Sequence, residues 1–249
     1  MLLDEVVAIG YATVKRKDLT GSVASVGNQE IAKVPVSDVT QALSGRMAGV
    51  QVMQSEGAPG ASISIRVRGG ISITQSNEPL YVIDGFPSED GMSTLDPAEI
   101  ETIDILKDAS ATAIYGARAS NGVIMITTKR GAAGEASITY DGYVGWQNMP
   151  KKLEVMNLRE YAAHHNARAA AGFVETSDYF VEPELLGDGT DWQEELFQNA
   201  LMTSHNISIT GGSDKITYAF SGGYLDQAGI ALGSGFKRLS LRGNLDAQI

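Results

Sequence analysis

The chain has 249 residues, of which 43% are hydrophobic and 28 are glycine, with no cysteine and a net charge of -11. The acidic balance argues against a nucleic-acid binder, which normally presents a basic face. A cysteine-free chain has no disulfide scaffold, zinc–thiolate site or thiol nucleophile. The opening Met1-Leu2-Leu3-Asp4-Glu5 lacks the basic-then-apolar pattern of a secretory leader, and no run approaches the ~18 apolar residues of a membrane helix. Strands that face lipid on one side only remain open, because their signal is far weaker per segment.

In chain order, residues 6–11 read as a short extended segment, followed by a polar turn at Lys15-Arg16-Lys17-Asp18 and a strand over 22–26. Val36, Val39, Leu43 and Met47 then recur at three and four residues, which predicts a helix over 37–46 capped by Ser37 or Asp38. Val50 and Val52 start a strand that breaks at the Gly57-Ala58-Pro59-Gly60 turn. Residues 62–69 alternate as a half-buried strand. Residues 80–86 form a β-branched and aromatic run that ends in the turn pair Asp84-Gly85. Asp96-Pro97 opens a short helix, with Ile100, Ile103, Ile105 and Leu106 as core positions. A small-residue helical turn over 109–116, a turn at Asn121-Gly122 and a strand over 123–128 complete this half. Residues 1–131 therefore read as one α/β domain, a mixed short sheet with short helices.

After Gly134 the pattern changes. Ile138, Tyr140, Gly142, Val144 and Trp146 share one strand face, and Ser137, Thr139, Asp141 and Tyr143 share the other. An excursion over 148–203 follows, with a helix predicted from an Asn157 cap to Gly172 and a second one capped by Asp191. Between 151 and 202 it holds ten acidic against four basic side chains, about half of the net charge. Connections of this length are usually functional. Alternation resumes three times: Ile207 and Ile209; Ile216, Tyr218, Phe220 and Tyr224; and Leu239, Leu241 and Leu245. Gly211-Gly212-Ser213-Asp214 reads as a hairpin turn between the first two. Two readings fit: a soluble antiparallel sheet packed on one face, or the start of a membrane barrel with short turns on one side and long loops on the other. The smallest membrane barrels have eight strands, so the second reading places most of the barrel outside this sequence.

Five blocks then resemble one family in order and spacing. They are Asp4-Glu5-Val6-Val7-Ala8-Ile9-Gly10-Tyr11 with Lys17-Asp18-Leu19-Thr20-Gly21-Ser22-Val23; Ala42-Leu43-Ser44-Gly45-Arg46-Met47-Ala48-Gly49-Val50; Ile65-Arg66-Val67-Arg68-Gly69; Pro79-Leu80-Tyr81-Val82-Ile83-Asp84-Gly85; and Leu106-Lys107-Asp108-Ala109-Ser110-Ala111-Thr112-Ala113-Ile114-Tyr115-Gly116 with Ala119-Ser120-Asn121-Gly122-Val123-Ile124. The chain resembles the SusC/RagA-type TonB-dependent outer-membrane transporters. The resemblance implies a plug domain over 1–131, followed over 132–249 by the first four or so antiparallel strands of an incomplete transmembrane β-barrel, with a long helical acidic loop at 148–203. It implies import of glycan or peptide fragments across the outer membrane, against the alternatives of a non-conducting receptor or signalling module and a soluble α/β protein. The partners it implies are a TonB-type energy-transducing protein, a SusD-like surface lipoprotein, an oligosaccharide or peptide substrate and outer-membrane lipid, with no nucleic acid.

By the same resemblance Asp4, Glu5, Val6, Val7, Ala8, Ile9 and Gly10 form the TonB-contact segment, an extended run suited to strand addition. Arg66, Arg68, Lys107 and Arg118 are expected to make ionic contacts between plug and barrel. No cofactor, metal or catalytic group is expected. His164 and His165 are adjacent and lack the i, i+4 spacing of a zinc pair, His205 is isolated, and neither a phosphate loop nor a nucleophile elbow occurs.

Overall fold

The computed structural model describes residues 6–9, 12–15, 23–31, 38–54, 56–67, 77–88, 91–107, 113–173 and 180–247. These divide into two compact units, one of residues 1–145, 202–227 and 235–249, the other of 146–201 and 228–234.

In the first unit, β1 (Val6–Ile9) and β2 (Ala12–Lys15) form a separate two-stranded sheet. A five-stranded sheet is built from β3 (Val23–Gly27), β6 (Leu80–Ile83), β7 (Phe86–Ser88), β8 (Ile100–Leu106) and β9 (Val123–Thr128), in the order β3-β8-β9-β6-β7. Its pairs are antiparallel apart from β6 with β9. The short helices α1 (Asn28–Ile31) and α2 (Val39–Leu43) and the hairpin of β4 (Val50–Gln54) with β5 (Ile63–Val67) complete the domain.

The apolar run of β9 reflects its central place. Alternate residues serve opposite faces, so Ile124 and Ile126 join Val39, Leu43, Ile65, Ile103 and Ile105, while Val123 and Met125 join Val82, Leu106 and Ala119. Each fully buried Ile contributes roughly 2 kcal/mol. Burial, reinforced by Glu78 and Asp38, raises the Tyr81 hydroxyl pKa well above its ordinary value. The helix predicted over 37–46 contracts to Val39–Leu43. Asp38 caps it by accepting from the Thr40 amide, and Gly45, at φ +71°, follows its end.

The same unit carries a second sheet of four long strands, β10 (Gly134–Gln147), β11 (Ala200–Gly212), β12 (Ile216–Ala228) and β13 (Gly235–Ala247), ordered as in the chain. The β11–β12 hairpin turns two residues later than its glycines suggest. The Ser213 amide donates to the Ile216 carbonyl at 2.7 Å, and Gly211 stays in the strand, where a Cβ would sit 2.8 Å from the Tyr218 hydroxyl.

Alternation in this sheet is inverted relative to a soluble protein. Along β13, Arg238, Ser240, Arg242 and Asn244 are half-buried, while Leu239, Leu241 and Leu245 are exposed, Leu241 at 80%. Ile207, Ile209, Phe220 and Tyr224 are exposed on the same side of the neighbouring strands. The globular domain packs against the polar face.

The second unit contains α3 (Leu158–Ala170) and α4 (Trp192–Leu196). Asn157 and Glu160 make a reciprocal capping box, and Asp191 accepts from the Gln193 and Glu194 amides, as its place before Trp192 predicts. Asn166 bonds both the amide and the carbonyl of Phe180, whose ring meets His165 and Tyr161 edge-on. The Gln193 side chain pairs in the same way with the Leu153 backbone.

Candidate functional site

The polar face of the strand wall meets the globular domain along a seam of charged side chains, and each of them is placed by local structure. Asp84 begins the two-residue turn between β6 and β7, with φ +49° followed by Gly85 at +91°, the geometry for which Asp-Gly is favoured in hairpins. Its carboxylate accepts from the Thr128 amide at 2.9 Å and hydroxyl at 2.7 Å, which ties the turn to the end of β9. Asp96 caps a 3-10 turn over Pro97–Glu99 by accepting from the Ala98 amide, and Glu99 closes that turn as β8 begins. The Thr128 and Ala98 donors hold the Asp84 and Asp96 carboxylates in place.

The wall answers with two arginines on one face of β13. Arg242 forks: Nη1 donates to Asp84 at 3.1 Å and Nε to Glu99 at 3.3 Å. Glu99 keeps only 4% side-chain exposure, and its second oxygen accepts from the Ser221 hydroxyl at 3.0 Å. Four residues earlier, Arg238 reaches Asp96 at 3.5 Å and the Ser93 carbonyl at 3.3 Å. The two sites lie roughly 13 Å apart along an extended strand. Asn206 adds a bond to Asp96 at 3.1 Å, and Asn244 one to the Lys129 carbonyl at 3.3 Å.

Gly223 on β12 makes room for this contact. A Cβ there would lie 2.4 Å from Asn206 Oδ1, 2.9 Å from Asp96 Oδ2 and 3.0 Å from Ser240 Oγ. A bare backbone at this point lets a carboxylate of the globular domain approach the wall. The chemistry available is reversible ionic and hydrogen-bonded seating. Among the described residues no group of three or more His, Asp or Glu is arranged to hold a metal ion.

Of the sequence-predicted residues, Val6, Val7, Ala8 and Ile9 make up β1, while Asp4, Glu5, Gly10 and Arg68 lie outside the described residues. Arg66 is half-buried in β5, opposite Gln51 of β4. Lys107 donates to the Ala48 carbonyl, and Arg118 is exposed at the end of the 3-10 segment over Ala113–Ala119. Among the described residues, Asp84, Asp96 and Glu99 pair with Arg238 and Arg242, so in these ion pairs the wall carries the cations and the globular domain the anions. The one available hint was Arg238-x-Ser240-x-Arg242-x-Asn244 on the polar face of a strand whose other face is leucine.

Residues 15–123 match the TonB-dependent Receptor Plug Domain. The globular domain seated on the wall is therefore a TonB-dependent receptor plug. TonB-dependent receptor SusC of Bacteroides thetaiotaomicron is 43% identical over 98% of this chain, which covers 24% of that protein. TonB-dependent receptor P26 of Formosa agariphila is 42% identical over 99% of the chain and 25% of that protein. The RagAB peptide importer in its open-open state superposes with a TM-score of 0.85 at 32% identity, over 98% of this chain and 30% of that one. The chain belongs to the SusC/RagA-type TonB-dependent outer-membrane transporters. It spans about a quarter of the length of the curated relatives it matches.

Proposed function

We propose that this chain supplies the plug, over residues 1–131, and the first barrel strands, over 132–249, of a transporter that imports glycan or peptide fragments across the outer membrane. The observation that carries this reading is the inverted sheet. Strands that pack their polar face on a protein domain and leave a leucine face uncovered suit hydrocarbon on the outside. The similarity to the RagAB peptide importer supports the peptide branch of the substrate class.

In this reading the plug gates the lumen, a TonB-type protein grips residues 4–10, and a SusD-like lipoprotein closes the outer side, with the acidic excursion over 148–203 near it. Arg66, Arg68, Lys107 and Arg118 are proposed to add plug contacts to further parts of the wall. Opening the path moves the plug, and no covalent step is involved.

These 249 residues contain no cysteine, so the test starts from the intact transporter with any cysteine elsewhere replaced. Single cysteines replace Leu239, Leu241 or Leu245 on one face and Ser208 or Asn244 on the other in the intact transporter, and each carries a nitroxide. Labels at the leucine positions are expected to relax with oxygen and resist a water-soluble relaxation agent. Water-like accessibility at all three leucines would overturn the assignment.

A further inference from the structure

The uncovered face of the strand sheet is apolar over most of its length, but it changes character towards the end from which the 148–203 excursion leaves. Alternation places two charged side chains on this face, Asp226 of β12 and Lys237 of β13, and both lie near that end. Lys237 Nζ sits 2.8 Å from the Asp226 carboxylate, and the lysine side chain is 70% exposed. The Tyr224 hydroxyl donates to the same carboxylate at 3.3 Å. His205 of β11 pairs with Tyr224 across the strands. Its Nδ1 lies 2.7 Å from the Tyr140 hydroxyl of β10, with the two rings stacked at 6.2 Å. Gly142 makes room for that contact: a Cβ there would lie 2.7 Å from the Tyr140 hydroxyl, so the ring leans along its own strand over bare backbone. Both tyrosines therefore aim their hydroxyls towards the excursion end, Tyr140 over Gly142 and Tyr224 at Asp226.

The length of the strands fits this ridge to a boundary. At a tilt of about 40° each residue climbs roughly 2.5 Å, so an apolar band about 25 Å tall takes about ten residues. Counted from Asp226 and Lys237 towards the Ser213–Ile216 turn, that length ends at Ile216 and Ala247, where β12 starts and β13 finishes. In between, Leu241 lies beside Gly222 and Phe220 beside Gly243, and among the described residues no charged side chain shares the face. A charged pair within hydrocarbon is costly, whereas at its rim an ammonium reaches the polar layer while its stem stays apolar. Tyrosine suits the same level, with one end apolar and the other wet. Short turns of such barrels face the periplasm and long loops the outside. We infer that Tyr140, His205, Tyr224, Asp226 and Lys237 form a contact strip for the polar lipid headgroups of the outer leaflet, so that the hydrocarbon boundary crosses β13 between Lys237 and Leu239. This goes beyond the barrel reading and rests on it. A lipid surface is the occupant because the strip continues an apolar face of the right length, and because the Lys237 ammonium, although it meets Asp226, stays largely exposed.

The test places one nitroxide at a time at Gly235, Leu239 or Leu241 of the intact transporter, with any cysteine elsewhere replaced, in vesicles of phosphatidylcholine and phosphatidylglycerol. These positions flank the strip without removing any of its members. Relaxation by a water-soluble agent, divided by relaxation by oxygen, is expected to be low at Leu241 and Leu239 and to rise several-fold at Gly235. A low ratio at Gly235 puts the strip inside the hydrocarbon and overturns the inference, as does a water-like ratio at Leu239. Poor access of both agents to Gly235 and Leu239 means that a protein partner or a second copy covers the strip, which overturns it as well. Leu241 separates the two levels. If it is lipid-like while any of these results is found, only the headgroup strip fails. If it is water-like together with Leu239 and Leu245, the barrel reading fails and the strip fails with it.

Discussion

Removing Arg242 is the sharpest perturbation of the seam, because its guanidinium serves two carboxylates of unequal standing. Asp84 would keep both Thr128 donors, whereas Glu99 would keep only the Ser221 hydroxyl. Glu99 is also the more buried, at 4% side-chain exposure against 16% for Asp84. The cost of Arg242→Met therefore falls mainly on Glu99, left charged with one neutral donor. Breaking a buried pair from one side costs 3–5 kcal/mol. Arg242 itself is 25% exposed, and water entering beside it brings the expected loss to about 2–3 kcal/mol. Glu99→Gln alone leaves Arg242 paired with Asp84 and is expected to cost about 1 kcal/mol. In the double variant the stranded charge is gone, so the loss falls short of the sum of the singles by about 1.5 kcal/mol or more. Native-state hydrogen exchange on the intact transporter, read over residues 96–106 and 124–130, measures each local opening. Additivity of the two changes within about 0.5 kcal/mol, or wild-type exchange in Arg242→Met, would refute the coupling.

Gly223→Val places a branched side chain where Asn206, Asp96 and Ser240 already sit. The same exchange measurement is expected to show the Asp96 turn loosened by about 1–3 kcal/mol while the β6–β7 turn keeps its protection. At α4, backbone donation from Glu194, followed by the Lys152 ammonium, holds the Asp191 carboxyl below its ordinary pKa. A depressed carboxyl stabilises the fold above its unfolded pKa and loses that contribution only as pH falls through the lower, folded value. NMR titration is therefore expected to show the Gln193 and Glu194 amides still capped at pH values where free aspartates are already protonated. Loss of the cap in step with free aspartates would contradict that account.

Local chemistry explains which features were legible in the sequence. The caps at Asp96, Asn157 and Asp191 were readable because each bonds amides two or three residues away. The helix over 37–46 was overextended because Val36 and Met47 continue the apolar spacing, whereas the helical stretch is only Val39–Leu43. Period-two alternation placed the long strands, yet a period has no sign. It separates Leu241 from Arg242 without saying which of them meets the plug. Asp84 was recognisable as a turn residue, but its bond to Arg242 spans 158 residues, and nothing local encodes a partner at that separation. The resemblance locates the plug but not these pairs, which run from wall arginines to plug acids.

The polarity of the seam matters for a domain that is proposed to move. An apolar plug–wall interface would expose a contiguous hydrophobic patch on displacement, with a penalty that grows with the area uncovered. Charged and hydroxyl groups behave differently: in place they bond one another, and once parted they bond water, so each exchange changes the free energy by only about 1–3 kcal/mol. Arg242 and Glu99 are costly to orphan singly, yet they are cheap to hydrate together. Their partial enclosure in the seated state, with Glu99 at 4% and Arg242 at 25% side-chain exposure, specifies where the plug rests without making the seat permanent. Arginine suits the task better than lysine, since one planar group on β13 reaches both the β6–β7 turn and the start of β8. In the proposed transporter, a pull on the plug from β1, followed by β3, whose one sheet neighbour among the described residues is β8, would meet the wall contacts of Asp84, Asp96 and Glu99. Parted, these groups bond water, so in the proposed transporter a mechanical pull would undo the contacts and their own pairing would restore them.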